Sequence, residues 1–132
     1  MVNKLLLPQE IETFYIIPTL RRHLAEGMKE QGMKQKDVAQ IFMVNTATIS
    51  QYNKKRGHQI TFNLEVLGEI KKSAGLIKDH FTYLRETQRL LRYLRLTKIL
   101  CQIHKQLSPV PEHCEPEETG CHPDPKAIGT CL

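Results

Sequence analysis

The sequence predicts an all-α protein: a short pair of helices about a tight turn, then a long C-terminal helix, then an irregular Cys/Pro-rich tail. Three observations lead there. Apolar residues recur at helical spacing through most of the first 105 residues, and only "HQITF" at 58–62 reads like a strand. Gly32 and Gly75 punctuate that pattern where helices should stop. Five of the seven prolines (109, 111, 116, 123 and 125) crowd the last stretch, so the ordered body should end near Lys105.

The first helix starts near Pro8, a residue suited to a first turn. Ile11, Phe14, Tyr15, Leu20, Leu24 and Met28 follow at roughly helical spacing, with a kink or restart expected at Pro18 and a stop at Gly32. Residues 34–57 read as two short helices. Val38, Ala39 and Phe42 line a face of one, Ile49 and Tyr52 a face of the other, and Asn45 or Thr46 caps the second. A helix from about Asn63 to Ser73 ends at Gly75. The last helix runs from Leu76 or Lys78 to Lys105, with room for a break of its own. One of its stripes is Leu84, Leu91 and Leu94; another is Tyr93, Leu96, Leu100 and Ile103. Two apolar faces suit packing on the chain's own domain and on a second subunit. A third face, Arg85, Arg89 and Arg92, is expected to be solvated.

Composition narrows the function. Charged residues at 25% and hydrophobic residues at 40% describe an ordinary globular chain. No apolar run approaches a membrane span, and the start "MVNKLLLPQE" is too short in apolar residues for a secretory signal, so a cytoplasmic protein is expected. Charge is unevenly spread. Residues 1–106 hold 18 Lys and Arg against 9 Asp and Glu, a net +9, and residues 107–132 hold 1 against 5, a net −4. A basic body fits a polyanionic partner. Aromatic residues at 6% and no Trp argue against a stacking platform for single strands.

The second helix pair carries the most specific pattern. Gln35, Val38, Ala39, Phe42, Val44, Ile49 and Tyr52 each have a mechanical reason: Ala39 is small where the second helix crosses, and Val38, Val44, Ile49 and Tyr52 fill the crossing. On these residues, segment 35–54 resembles the lambda-repressor-like (Xre-type) helix-turn-helix family of transcriptional regulators. The family usually has Gly in the turn, where φ is positive. Met43 stands there instead, at a cost of about 1 kcal/mol.

The resemblance implies roles. The first turn of 45–54 enters the major groove of double-stranded DNA, and Thr46, Ala47, Ser50 and Gln51 face base edges. Gln51 suits adenine, and a methyl of Ala47 or Thr46 suits the thymine methyl. Gln35, opening the preceding helix, holds a phosphate, and Thr48 does the same or merely faces solvent. Lys54, Lys55 and Arg56 supply sequence-independent attraction, or form a plain solvated cluster. Because one such module buries little surface, a homodimer through the last helix is expected.

The tail raises its own question. Three of four cysteines lie among prolines and acids that cannot pack a core, in the spacing Cys101-x12-Cys114-x6-Cys121-x9-Cys131. Ordering such a segment costs about 1–2 kcal/mol per residue, which a metal held by thiolates can offset. Without a CxxC pair, an iron–sulfur cluster on Cys101, Cys114, Cys121 and Cys131 fits better than zinc, which stays the alternative. His104, His113 and His122 are further candidate ligands. A disordered tail with inert thiols is the plainer reading. An Xre-type domain ahead of a cysteine-bearing C-terminus resembles archaeal predicted regulators, and iron–sulfur regulators more generally.

The expected division is therefore a helix-turn-helix DNA-binding domain at 1–62, a helical dimerisation region at 63–106 and a Cys/Pro-rich metal-binding tail at 107–132. The expected function is sequence-specific transcriptional regulation, with the cofactor sensing redox state or iron. The rival is a protein-interaction module, an antitoxin or adaptor, with structural zinc or a disordered tail. An enzyme is not expected: there is no paired-carboxylate set, no Ser–His–Asp set and no phosphate-cradling glycine loop, and no small-molecule substrate is evident.

Overall fold

Helices account for all regular secondary structure among the described residues, 5–52, 60–110 and 114, of the computed structural model. In chain order they are α1 (Pro8–Ile11), a π-helical turn (Glu12–Ile16), α2 (Ile17–Glu30), α3 (Gln35–Phe42), α4 (Thr46–Tyr52), α5 (Leu64–Leu76), α6 (His80–Leu96) and α7 (Ile99–Leu107). None is long and apolar enough to cross a membrane. Residues 60–62 of the strand-like segment form no strand, and 58 and 59 lie outside the described residues.

The chain divides into two compact units, Thr13–Leu90 and Met1–Glu12 with Leu91–Leu132. These boundaries fall at other residues than the three-part division expected from composition, since α5 and residues 80–90 of α6 share a unit with α2, α3 and α4.

In the larger unit α2 is the central element and touches α3, α4 and α5. Ile16, Leu20, Leu24 and Met28, spaced by four, form one buried row along it. Pro18 shapes its start. The ring has no N–H to return to the carbonyl four residues back, and the helix widens into the π turn just ahead of it. Gly32 ends α2 as expected. At φ 100° its N–H bonds the Lys29 carbonyl at 3.0 Å, and Met33 N–H bonds that of Met28 at 3.2 Å.

Gly75 does not end α5, which runs on to Leu76. A Cβ at 75 would meet the Gln31 amide at 3.5 Å, an ordinary contact. Asn63 caps the other end, its Oδ1 accepting from Val66 N–H at 2.9 Å. Gly27 brings α2 against α5 so closely that an added Cβ would lie 2.8 Å from that of Ala74.

The Arg85/Arg89/Arg92 face is not simply solvated. Arg89 donates to Glu69 at 2.9 Å, to Glu86 at 3.1 Å and to the Ser73 hydroxyl at 2.6 Å, and Ser73 in turn donates to Glu86 at 2.9 Å. Glu86 and Ser73 are buried, and a buried carboxylate needs such partners.

In the smaller unit α1 lies on α7. The last helix, expected from Leu76 or Lys78 to Lys105 with room for a break, is two helices, α6 and α7. Thr97 turns both its N–H and its hydroxyl to the Tyr93 carbonyl, the hydroxyl at 2.7 Å, and Lys98 adopts φ 63°. The break comes where no Gly or Pro stands, and a hydroxyl contact alone does not cause it: Thr87 makes the same one to the Tyr83 carbonyl at 2.8 Å and α6 stays continuous. The expected stripes divide accordingly: Leu100 and Ile103 are buried while Leu96 is exposed, and Leu91 and Leu94 are buried while Leu84 is 59% exposed.

Candidate nucleic-acid interface

The geometry of α4 starts from the turn before it. Met43 takes φ 57° and ψ 43°, the left-handed conformation, and Val44 N–H bonds back to the Ala39 carbonyl at 3.0 Å. This repeats the closure made at Gly32, with methionine in glycine's place. Asn45 then starts α4 as expected: its Oδ1 accepts from Thr48 N–H at 2.8 Å and from the Thr48 hydroxyl at 2.9 Å. Thr48, half-buried, thus serves the cap.

Ile49 anchors the helix at 1% exposure, with Val38, Ala39 and Phe42 of α3 also buried. The opposite edge is open. Thr46, Ala47, Ser50 and Gln51 are all exposed. Lys54, Lys55 and Arg56 lie outside the described residues.

Gln35 is placed differently from the expectation of a phosphate ligand. Its Nε2 donates to the Thr46 carbonyl at 2.9 Å and to the Ser50 hydroxyl oxygen at 2.7 Å. Both amide hydrogens are spent on α4, and the remaining Oε1 is an acceptor that a phosphate oxygen cannot bond. Only its backbone N–H is left for that task. The side chain instead ties the first turn of α3 to the first turn of α4.

Two residues of α6 brace the pair, and sequence reasoning missed them. His80 Nδ1 lies 2.8 Å from the Ile41 carbonyl, which can only accept, so that nitrogen carries the proton. Tyr83 stacks on Phe42, ring centroids 4.2 Å apart and planes 16° from parallel. Its hydroxyl accepts from Arg21 Nε at 3.3 Å. Arg21 is exposed and electrostatically coupled to Tyr52, the last residue of α4. Burial pushes the Tyr52 hydroxyl above its usual range, with the Arg21 charge acting against and Tyr83 with it. No sequence signal joins residues 21, 42, 52 and 83, which meet only through the packing of four helices.

Of the candidate metal ligands, Cys101 on α7 and Cys114 are half-buried, and Cys121, Cys131, His113 and His122 lie outside the described residues. Among the described residues no three His, Cys, Asp or Glu side chains are grouped to hold a metal ion. His104 turns Nε2 to the Leu6 carbonyl, which fixes the proton there and leaves Nδ1 alone for any ligand role. The same stretch is held a second time, by Leu6 N–H on the Ser108 hydroxyl at 2.8 Å.

No family model, curated protein or solved structure matches this chain.

Proposed function

We propose that this chain is a sequence-specific DNA-binding regulator that acts as a homodimer and reads the major groove with α4. The reading rests on one observation. Thr46, Ala47, Ser50 and Gln51 stand exposed along one edge of a helix whose opposite side is pinned by Ile49. An edge of small and polar side chains on a braced helix can follow base edges with little reorganisation. The resemblance of 35–54 to Xre-type regulators and the net +9 of residues 1–106 support the same reading.

A mobility-shift titration against duplex DNA tests it. Specific retention should weaken by about 0.9 log unit per tenfold rise in salt for each phosphate contacted. No retention at low salt ends this reading. It then favours the protein-interaction module, for which the exposed Met43 (77%) and Phe81 (70%) offer apolar contact.

The cofactor is proposed as an iron–sulfur cluster, or zinc, on Cys101, Cys114, Cys121 and Cys131. What supports it is the concentration of thiols in a segment with almost nothing apolar to bury. When bound, such a cluster would supply a redox-sensitive link between the tail and α7. An anaerobic absorption spectrum with metal analysis decides it: a colourless, metal-free protein removes the cofactor, and a colourless zinc protein removes the cluster.

A further inference from the structure

We propose that Ser50 reads its base preferentially as a hydrogen-bond donor, and that Gln35, off the reading edge, biases it to that role by occupying one of its two acceptor lone pairs. The inference rests on the DNA-binding reading above and deepens it.

A serine hydroxyl is ordinarily versatile. It rotates to donate or accept, and so tells bases apart poorly. Here the rotation is restrained. The Thr46 carbonyl has no hydrogen, so the Gln35 atom 2.9 Å from it must be Nε2, and the orientation of the amide follows. The second hydrogen of the same Nε2 goes to Ser50 Oγ at 2.7 Å. Ser50 is therefore the acceptor in that bond, and its own hydrogen and one lone pair are left over.

The usual internal outlet for that hydrogen is the carbonyl one turn back. For Ser50 this is Thr46, already engaged by Gln35, and the Ser50 hydroxyl makes no hydrogen bond to it. The side chain is exposed, and its bond from Gln35 is its only one among the described residues. The hydroxyl hydrogen thus faces solvent beside Ala47 and Gln51. Accepting from Gln35 also polarises the O–H and makes it a better donor.

A hydroxyl biased to donate, with one of its two lone pairs already taken, sorts base edges in the major groove. Guanine offers two acceptors there, N7 and O6, and no donor. Cytosine offers only its N4 amino donor. Ser50 should therefore favour guanine most and cytosine least at one position of the site. Gln35 is a positioning residue that sets this preference without touching a base.

The test is selection from a randomised duplex library followed by competition mobility shifts. Wild type is compared with Ser50→Ala, Gln35→Ala and Gln35→Glu, each checked for folding by circular dichroism. Wild type should prefer guanine over cytosine at one position by about fivefold, the worth of one hydrogen bond. Ser50→Ala, at an exposed position, should lose that preference and keep the others. Gln35→Ala should shrink it to within twofold. Gln35→Glu should move it toward cytosine, because a carboxylate accepts the Ser50 hydrogen and leaves lone pairs facing outward.

A selected site whose base preferences are unchanged in Ser50→Ala overturns the inference while leaving DNA binding intact. So does a guanine preference that survives both Gln35 substitutions in folded protein. If wild type retains no duplex of any sequence, the DNA-binding reading fails and this inference fails with it.

Discussion

Arg95 closes both arms of its guanidinium on Glu12, Nε to Oε2 at 2.8 Å and Nη2 to Oε1 at 2.8 Å, with the carboxylate side chain only 9% exposed. Residues 83 positions apart in sequence are thereby joined by a two-point charged contact. Arg95→Ala strands a buried carboxylate and should cost about 3 kcal/mol in urea denaturation. Replacing Glu12 and Arg95 together by Leu and Met should cost much less, since it is the orphaned charge that is expensive. Equal losses in the single and double variants would show that the pair contributes through packing alone.

Met43 is a gain waiting in the sequence. It holds φ 57° with its side chain 77% exposed, so almost nothing is buried in return for the backbone strain. Met43→Gly should raise stability by only a few tenths of a kcal/mol, the penalty of about 1 kcal/mol for a side chain in this conformation less the entropy glycine adds to the unfolded chain. A lowered denaturation midpoint would show that the thioether makes a contact worth more than the strain.

Gly27 should tolerate no side chain. Alanine is the better helix former by about 1 kcal/mol, yet its Cβ would sit 2.8 Å from the Ala74 Cβ. Overpacking of this kind typically costs about 1–3 kcal/mol, so Gly27→Ala should be a net loss. Adding Ala74→Gly should recover most of it. Thermal melts of the two singles and the double give the coupling directly.

Acid should destabilise the protein in two steps. Burial, then the charge of Arg22, hold His23 below its usual value, with Glu26 partly opposing. A depressed folded pKa means stability that is complete above the unfolded value of about 6.5 and is lost as pH falls through the folded one. Burial pushes Glu86 the other way, but hydrogen bonds from Ser73, Arg89 and Arg85 outweigh it and keep its carboxyl below the usual range. Its contribution is complete above about pH 4.3 and drains away below that. Denaturation midpoints against pH should show both falls. His23→Gln should remove the upper one and Glu86→Gln should shrink the lower, to which Glu69, held low by its hydrogen bond from Arg89, and Asp79, held low by the Thr82 backbone N–H, also contribute.

The sequence was most readable where a helix end is decided locally. The Gly32 stop, the Asn45 cap and the start of α5 beside Asn63 each depend on a few adjacent residues and stand where local sequence placed them. The exposed edge of α4 followed from the same spacing that buries Ile49. What sequence could not show depends on partners far along the chain. Arg89 reads as a surface residue until Glu69 and Ser73 of α5 come beside it. Gln35 reads as a phosphate ligand until the Thr46 carbonyl takes its amide. The break at Thr97 and Lys98 is local, but neither Gly nor Pro stands there to announce it.

The turn that positions α4 also leaves a sulfur atom almost bare. Met28 is sealed at 1% exposure within the larger unit, whereas Met43 stands in water two residues before the cap of α4. Dilute peroxide should therefore convert the second to its sulfoxide while sparing the first. Mass spectrometry of that one oxygen would give a footprint of whatever covers the lip of the helix, read without altering a single residue.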